Sequence, residues 1–311
     1  MITLLQLEYF RKLAATQHIT QTAKELYISQ TALSSMIIGL EKELGVQLFD
    51  RSKRSIHLNE AGKLYLSYVE QVFTALDNGH AALRDMVDAG EKQVSVAVGS
   101  SLVWTGMFRQ FHMYFPDHAL KQHNGTTAEL SDALQSARVD FVIAGAGDIV
   151  DKGLESAFVK TDNVYLCVPS SHRFAKREEV YMEELRDERF ISLPVGAPWR
   201  SYCDWLFEKA GITTKPIVEC DYTMRAALVE SEFGVALTSS SALDVDLLRP
   251  NHYIRVADEY ASRKMLLYWN PKRYMSNAAR DFKEFCIGYW KEPQKTLAEP
   301  AAATNDLIES L

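Results

Sequence analysis

Between Ile19 and Asn59 the chain carries short polar side chains at helical spacing, followed by a cluster of cations. Gln30, Thr31, Ser34, Ser35 and Ile38 fall on or near one face of a helix predicted over Gln30–Leu44. Gln pairs with an adenine edge, Ser and Thr reach bases or phosphates, and an apolar chain meets a thymine methyl. This face lacks Arg, which disfavours bidentate guanine contacts and points to A·T-rich half-sites. Arg51, Lys53 and Arg54 stand at the tip of Val46–Leu58, a stretch with apolar anchors at both ends. That pattern predicts a hairpin wing, which lays cations along phosphates or the minor groove. Thr20, at the start of the preceding short helix, completes the candidate DNA-contacting set.

A second set consists of hydroxyls where strand-like runs end. Ser100 and Ser101 follow Val94–Gly99, Thr126 and Thr127 follow Gly125, and Thr238 follows Gly234–Leu237. In open parallel sheets ligands sit beyond the carboxyl ends of strands, where helix N-termini offer unpaired N–H groups. Val195, Trp199 and Arg200 lie in the Gly/Pro-rich stretch Pro194–Arg200, and Arg225 follows. An Arg in such a loop holds a carboxylate through two parallel bonds, which favours a small anionic or aromatic acid as ligand. Several of these residues also have a structural use: the hydroxyls as helix caps, Trp199 as a packing anchor, Arg200 as a surface helix residue.

Other chemistries find little footing. There is no Gly-rich phosphate loop, HExxH or GxSxG, so no catalytic set, cofactor or metal site is expected. The four cysteines, Cys167, Cys203, Cys220 and Cys286, include no CxxC pair and are expected to be reduced, partly buried thiols.

These residues need elements to hold them. Thr20 is expected to cap a helix over Gln21–Tyr27, Ser29 a second over Gln30–Leu44, and Gly45 to close it: a helix-turn-helix. The buried stripe of the second helix would be Ala32, Leu33, Met36, Ile37, Leu40 and Leu44. Thr3 and Gln6 form a capping-box pattern opening a first helix, and His18 follows that helix as a surface or C-cap residue. Thr22, if inward, should bond a carbonyl one turn back. From Asn59 to Gly90 two apolar stripes, one through Tyr65, Tyr68, Val72, Ala75, Gly79, Ala82 and Met86, predict a helix of roughly 45 Å. That exceeds what a small domain's own core needs and suggests a dimerisation rod. From Gln93 onward strand-like and helical runs alternate, implying parallel, doubly wound sheets.

The 311 residues are 47% hydrophobic and 24% charged, enough for two or three cores. No apolar run reaches membrane-spanning length, and a cytoplasmic protein is expected. The net charge of −7 is unevenly placed. Residues 1–60 hold seven Lys and Arg against six Asp and Glu, leaving 27 against 35 in the remainder. DNA affinity would therefore depend on the local wing and on pairing two heads.

The ordered segments Leu7-Glu8-Tyr9-Phe10, Ile19-Thr20-Gln21-Thr22-Ala23, Ser29–Ser34, Leu40–Arg51 and Leu58–Gly62 resemble the LysR-type transcriptional regulators over about sixty residues. The resemblance continues through Asp140–Ala144, Pro169–Ala175 and Phe233–Leu237, with departures at Thr238, where Pro is common in that family, and at Glu232, where Gly is common. It implies an α/β protein with an N-terminal winged helix-turn-helix (1–58), a linker helix (59–90) and an effector-binding domain (91–290) of two α/β subdomains of periplasmic-binding-protein type II-like fold. Subdomain 1 would span about 91–161 and 268–290, subdomain 2 about 162–267, and 291–311 would be a flexible tail. The strand crossings are expected near Thr161–Tyr165 and Lys264–Tyr268. The implied function is control of transcription by a small-molecule effector, with operator DNA, a homodimer or homotetramer, and RNA polymerase as partners. A redox-sensing regulator and an architectural DNA binder without ligand control are the alternatives.

Overall fold

The computed structural model describes residues 1–51, 56–87, 92–151, 153–243 and 251–290. They form two compact units: residues 1–90 with 132–138 and 270–276, and the rest.

The first unit opens with α1 (Leu4–Thr16), whose N-cap Thr3 and residue Gln6 form the reciprocal capping box expected of them. Next come α2 (Ile19–Glu25) and α3 (Gln30–Leu44). Ser29 caps α3 through the Ala32 amide, and Gly45 ends it at φ +69°, the left-handed region open to glycine. The cap of α2 differs from expectation: His18 occupies the N-cap and its Nδ1 accepts the Gln21 amide, so Thr20 lies inside the first turn. Thr22 is buried and its hydroxyl donates to the His18 carbonyl one turn back.

A core of Leu7, Phe10, Leu13, Ala23, Leu33, Ile37, Leu40, Leu48, Phe49, Ile56 and Val69 holds this unit together. Its α3 stripe is narrower than expected, because Ala32 is exposed, Met36 and Leu44 are half-buried, and Glu41 takes a buried place. The wing is a two-stranded antiparallel hairpin of β1 (Phe49–Arg51) and β2 (Ile56–Leu58). It leads into α4 (Glu60–Met86), 27 residues long. The junction is tightly bound: Asn59 caps α4 through the Gly62 amide, donates from its side chain to the Gln47 carbonyl, and from its backbone to that of Leu48. A Cβ on Gly62 would fall 2.1 Å from the Leu48 carbonyl oxygen.

In the second unit, β3 (Gln93–Val98), α5 (Thr105–Tyr114), β4 (Ala119–Asn124), α6 (from Thr127 to Gln135, its last residues belonging to the first unit) and β5 (Phe141–Gly145) follow in order. β3 pairs in parallel with both β4 and β5. The long β6 (Glu155–Val168) precedes β7 (Glu179–Val180), β8 (Ile191–Ser192), α7 (Pro198–Lys209), β9 (Val218–Glu219), α8 (Tyr222–Glu230), β10 (Ala236–Ser239) and α9 (Ser240–Leu243). β11 (His252–Val256), β12 (Ser262–Trp269) and α10 (Asn277–Tyr289) complete the described chain.

The sheet is mixed rather than wholly parallel, with strand order β4-β3-β5-β12-β6-β11-β7 and β10 also on β6. β12 is antiparallel to β5 and to the first part of β6, whereas β10 and β11 are antiparallel to its last part. β6 therefore passes from one set of partners to the other between Asn163 and Val164, inside the expected crossing Thr161–Tyr165. Lys264–Tyr268 lies within β12, so the return from β11 runs through residues 257–261. One core, around Val164, Leu166, Met182, Phe190, Leu206 and Leu237, fills the side of β6 that faces α7.

Candidate functional sites

The first site is the outer face of α3. Gln30, Thr31, Ser35 and Ile38 are exposed and Ser34 is half-buried, so the short polar residues do lie on one accessible surface. The Thr20 hydroxyl donates to Gln30 Oε1 at 3.3 Å, which ties α2 to α3. Arg51 ends β1, and Lys53 and Arg54 lie outside the described residues. Glu41, missed by the sequence reading, accepts the Leu48 and Phe49 amides and so fixes the wing to α3.

The second site is a cleft in the second unit, about 450 Å³ including its open mouth. Strand ends and loops from both sides of the sheet line it: Ser100, Gly145 and Asp148 on one side, Trp199, Tyr222 and Ser239 on the other. Asp162 and Arg263, from β6 and β12, complete the polar lining, while Val103, Trp104, Leu193 and Met265 supply apolar wall.

Of the ligand residues expected from sequence, Ser100 and Trp199 reach this cleft. Trp199 is buried and its indole N–H donates to the Leu237 carbonyl at 3.0 Å, so its ring is held rigidly. Ser101 is turned to Asn124, whose side-chain oxygen accepts the Ser101 amide. Thr126 closes a capping turn with Glu129, whose carboxyl is held below its usual range by those Thr126 bonds. The Thr127 amide donates to the Gly196 carbonyl. Val195 is 75% exposed and is no part of the wall.

The two arginines expected to hold an anion are already occupied. Arg200 is buried, and donates to Asp204, Glu219 and the Leu193 carbonyl. Arg225 is buried behind the Tyr222 ring, donating to the Leu237 carbonyl and to Thr238 Oγ1. Thr238 is buried with it and does not line the cleft. A buried guanidinium satisfies its donors locally, and these two do so with carbonyls and carboxylates of their own subdomain.

Arg263 is the cleft's own cation. It lies over the rings of Trp199, at 4.9 Å, and Tyr202, at 5.0 Å. Its single described polar contact is Nη1 to Asp148 Oδ2 at 3.5 Å, and its Nε is buried with no acceptor. Burial pushes the Asp148 carboxyl up, against the opposing pull of Arg263 and the Gly145 amide. Among the described residues no group of three His, Cys, Asp or Glu chains is placed to hold a metal.

Comparison with known proteins agrees with this layout. Residues 4–63 match the family model described as bacterial regulatory helix-turn-helix protein, lysR family, and residues 88–291 match the LysR substrate binding domain. An uncharacterized HTH-type transcriptional regulator of Bacillus subtilis, YybE, is 31% identical across 92% of this chain and 99% of its own length. A probable RuBisCO transcriptional regulator of Nostoc sp. is 30% identical across 98% of this chain and 95% of its own. In fold, the chain is similar to CbnR complexed with its target DNA, with TM-score 0.63 and 20% identity over 92% of this chain and 99% of that one. A full-length OxyR variant from Pseudomonas aeruginosa gives TM-score 0.68 and 22% identity, over 92% and 95%.

Proposed function

The chain belongs to the LysR family of DNA-binding transcriptional regulators, and from that premise we propose that its operator binding is controlled by a small organic or aromatic acid held in the cleft between the two parts of its sheet. The observation that carries this reading is Arg263, a cation in the cleft with an unfilled donor and aromatic faces beside it. A carboxylate supplies the missing acceptor, and the low dielectric of the site strengthens that bond.

Control of DNA binding then follows from linkage. A ligand shifts an equilibrium only by its different affinity for two arrangements, so the acid must favour one cleft geometry over another. The heads act in pairs. Leu64, Tyr68, Val72, Leu76, Leu83 and Met86 of α4 are exposed apolar side chains along a long helix, which supports a homodimer formed through it, with further association to a tetramer. Operator DNA in the cytoplasm, and RNA polymerase at the promoter, are the partners of such an assembly. No described helix is long and apolar enough to cross a membrane.

The test is fluorescence anisotropy of the full chain on its upstream intergenic DNA, across a salt series, with and without candidate acids. Gln30→Ala should relax base preference, whereas Arg51→Ala should weaken binding to all sequences alike and lower the salt slope by about one. Ligand binding without any change in operator affinity, DNA bending or promoter output would refute effector control.

A further inference from the structure

Asp162 on β6 and Arg263 on β12 are register partners across antiparallel strands. Residues so paired point to the same face, with Cβ atoms about 5 Å apart. Opposite charges in that position ordinarily close on each other, yet among the described residues no ion pair joins these two. Asp162 is 2% exposed and turns toward α9, where its Oδ1 accepts the Ser240 hydroxyl, the Ser241 amide and the Ser241 hydroxyl. No described hydrogen bond ends on its Oδ2. Arg263 turns the other way, toward Asp148, Trp199 and Tyr202, and leaves its Nε without an acceptor. Both side chains line the cleft. Its floor therefore presents a carboxylate and a guanidinium side by side, held apart by their own partners.

The charge balance narrows the ligand further. Asp148, Asp162 and Arg263 are the charged residues among the lining, one net negative charge when both carboxylates are ionised. A plain monoanion would raise that to two beside the buried Asp162 carboxylate, which desolvation penalises. A ligand that brings an ammonium with its carboxylate leaves the balance unchanged and fills both unmet positions. The apolar wall of Val103, Trp104, Leu193 and Met265 lies beside them.

We infer that the effector is an α-amino acid with an apolar or aromatic side chain, its carboxylate on Arg263 and its ammonium on the open oxygen of Asp162. This rests on the acid-effector reading and adds the amino group to it. The test is calorimetric titration and thermal shift of the full chain with leucine, methionine, phenylalanine and tryptophan. Each is run beside the matching 2-hydroxy acid and the matching decarboxylated amine. At least one amino acid should raise Tm by about 2 °C or more, and its hydroxy acid and amine should each bind about tenfold more weakly.

Arg263→Gln, compared with its own ligand-free Tm, should lose the response. Asp162→Asn should reduce the preference for amino acid over hydroxy acid to about one. Because Asp162 also anchors α9, it is that ratio and not the loss of binding that counts. A hydroxy acid binding as well as its amino acid overturns the inference and leaves the acid-effector reading standing. An amine binding equally well, or no response to any of the four amino acids, overturns it too. Operator affinity, measured on the same preparation with the responding compound, decides the regulatory reading separately.

Discussion

Glu41 Oε1 lies 2.9 Å from the amide nitrogen of Leu48 and 3.3 Å from that of Phe49, inside the core of the DNA-binding head. One side chain of α3 thus accepts from the backbone where the chain turns into the wing, so α3 and the wing hold a common orientation. Glu41→Ala leaves two buried N–H groups without an acceptor and should cost roughly 2–3 kcal/mol. Glu41→Gln retains an acceptor oxygen and should cost less than half of that. Urea unfolding of both variants measures the difference, and equal losses would mean that charge rather than acceptance matters.

Glu232 adopts φ +60°, a conformation that disfavours side chains carrying a Cβ, in the turn between α8 and β10. Its carboxylate accepts the Ser171 hydroxyl. Glu232→Gly relieves about 1 kcal/mol of backbone strain and gives up one exposed hydrogen bond. A net gain in Tm of about 1–2 °C is expected by calorimetry, and Glu232→Ala, which keeps the strain and loses the bond, should fall below the native chain.

Arg200 and Arg263 separate two uses of one residue type. Arg200→Ala strands the partly exposed carboxylates of Asp204 and Glu219 and the Leu193 carbonyl, so it should lower stability by roughly 2 kcal/mol. At a temperature where the variant is folded, its effector affinity should stay within about twofold of native. A large loss of affinity in folded Arg200→Ala, seen by calorimetric titration, would return that residue to the ligand site.

The thiols give a pH-dependent test. Burial pushes Cys203 and Cys286 up to about 12 and Cys167 up to about 11, and raises Cys220 as well. The thiolate is the nucleophile, so a buried thiol shifted upward reacts more slowly at pH 8 than an exposed one. Titration with a disulfide reagent at pH 8 should leave all four thiols of the folded protein unmodified for minutes to hours, and denaturation should release four at once. One rapidly reacting thiol in the folded chain would favour the redox-sensing alternative.

What could be read from sequence was local. Thr3 with Gln6, and Ser29 with Gly45, each depend on residues within one helix or at its ends, and the structure has them as expected. The ligand cleft was harder because its chemistry arises from pairing. Asp162 and Arg263 are about a hundred residues apart and meet through strand register. Arg200 and Arg225 are equally charged in sequence, but only the fold shows which carboxylates and carbonyls have already engaged them. Glu41 was hidden for a related reason: a carboxylate next to an apolar stripe looks solvated until the amides that it accepts fold against it.

The junction at Asn59 and Gly62 packs the start of α4 directly on the wing, since no side chain fits between Gly62 and the Leu48 carbonyl. Any rotation of the helix is then a rotation of the reading face. In a dimer paired through α4, as proposed, each residue inserted into α4 turns the remainder of the helix by about 100° and advances it by about 1.5 Å, so a single insertion changes the phase of the two heads, whereas seven nearly restore it. On that proposal the half-site spacing such a dimer accepts depends on the number of residues in the rod, and it can be changed there without altering any residue proposed to touch DNA.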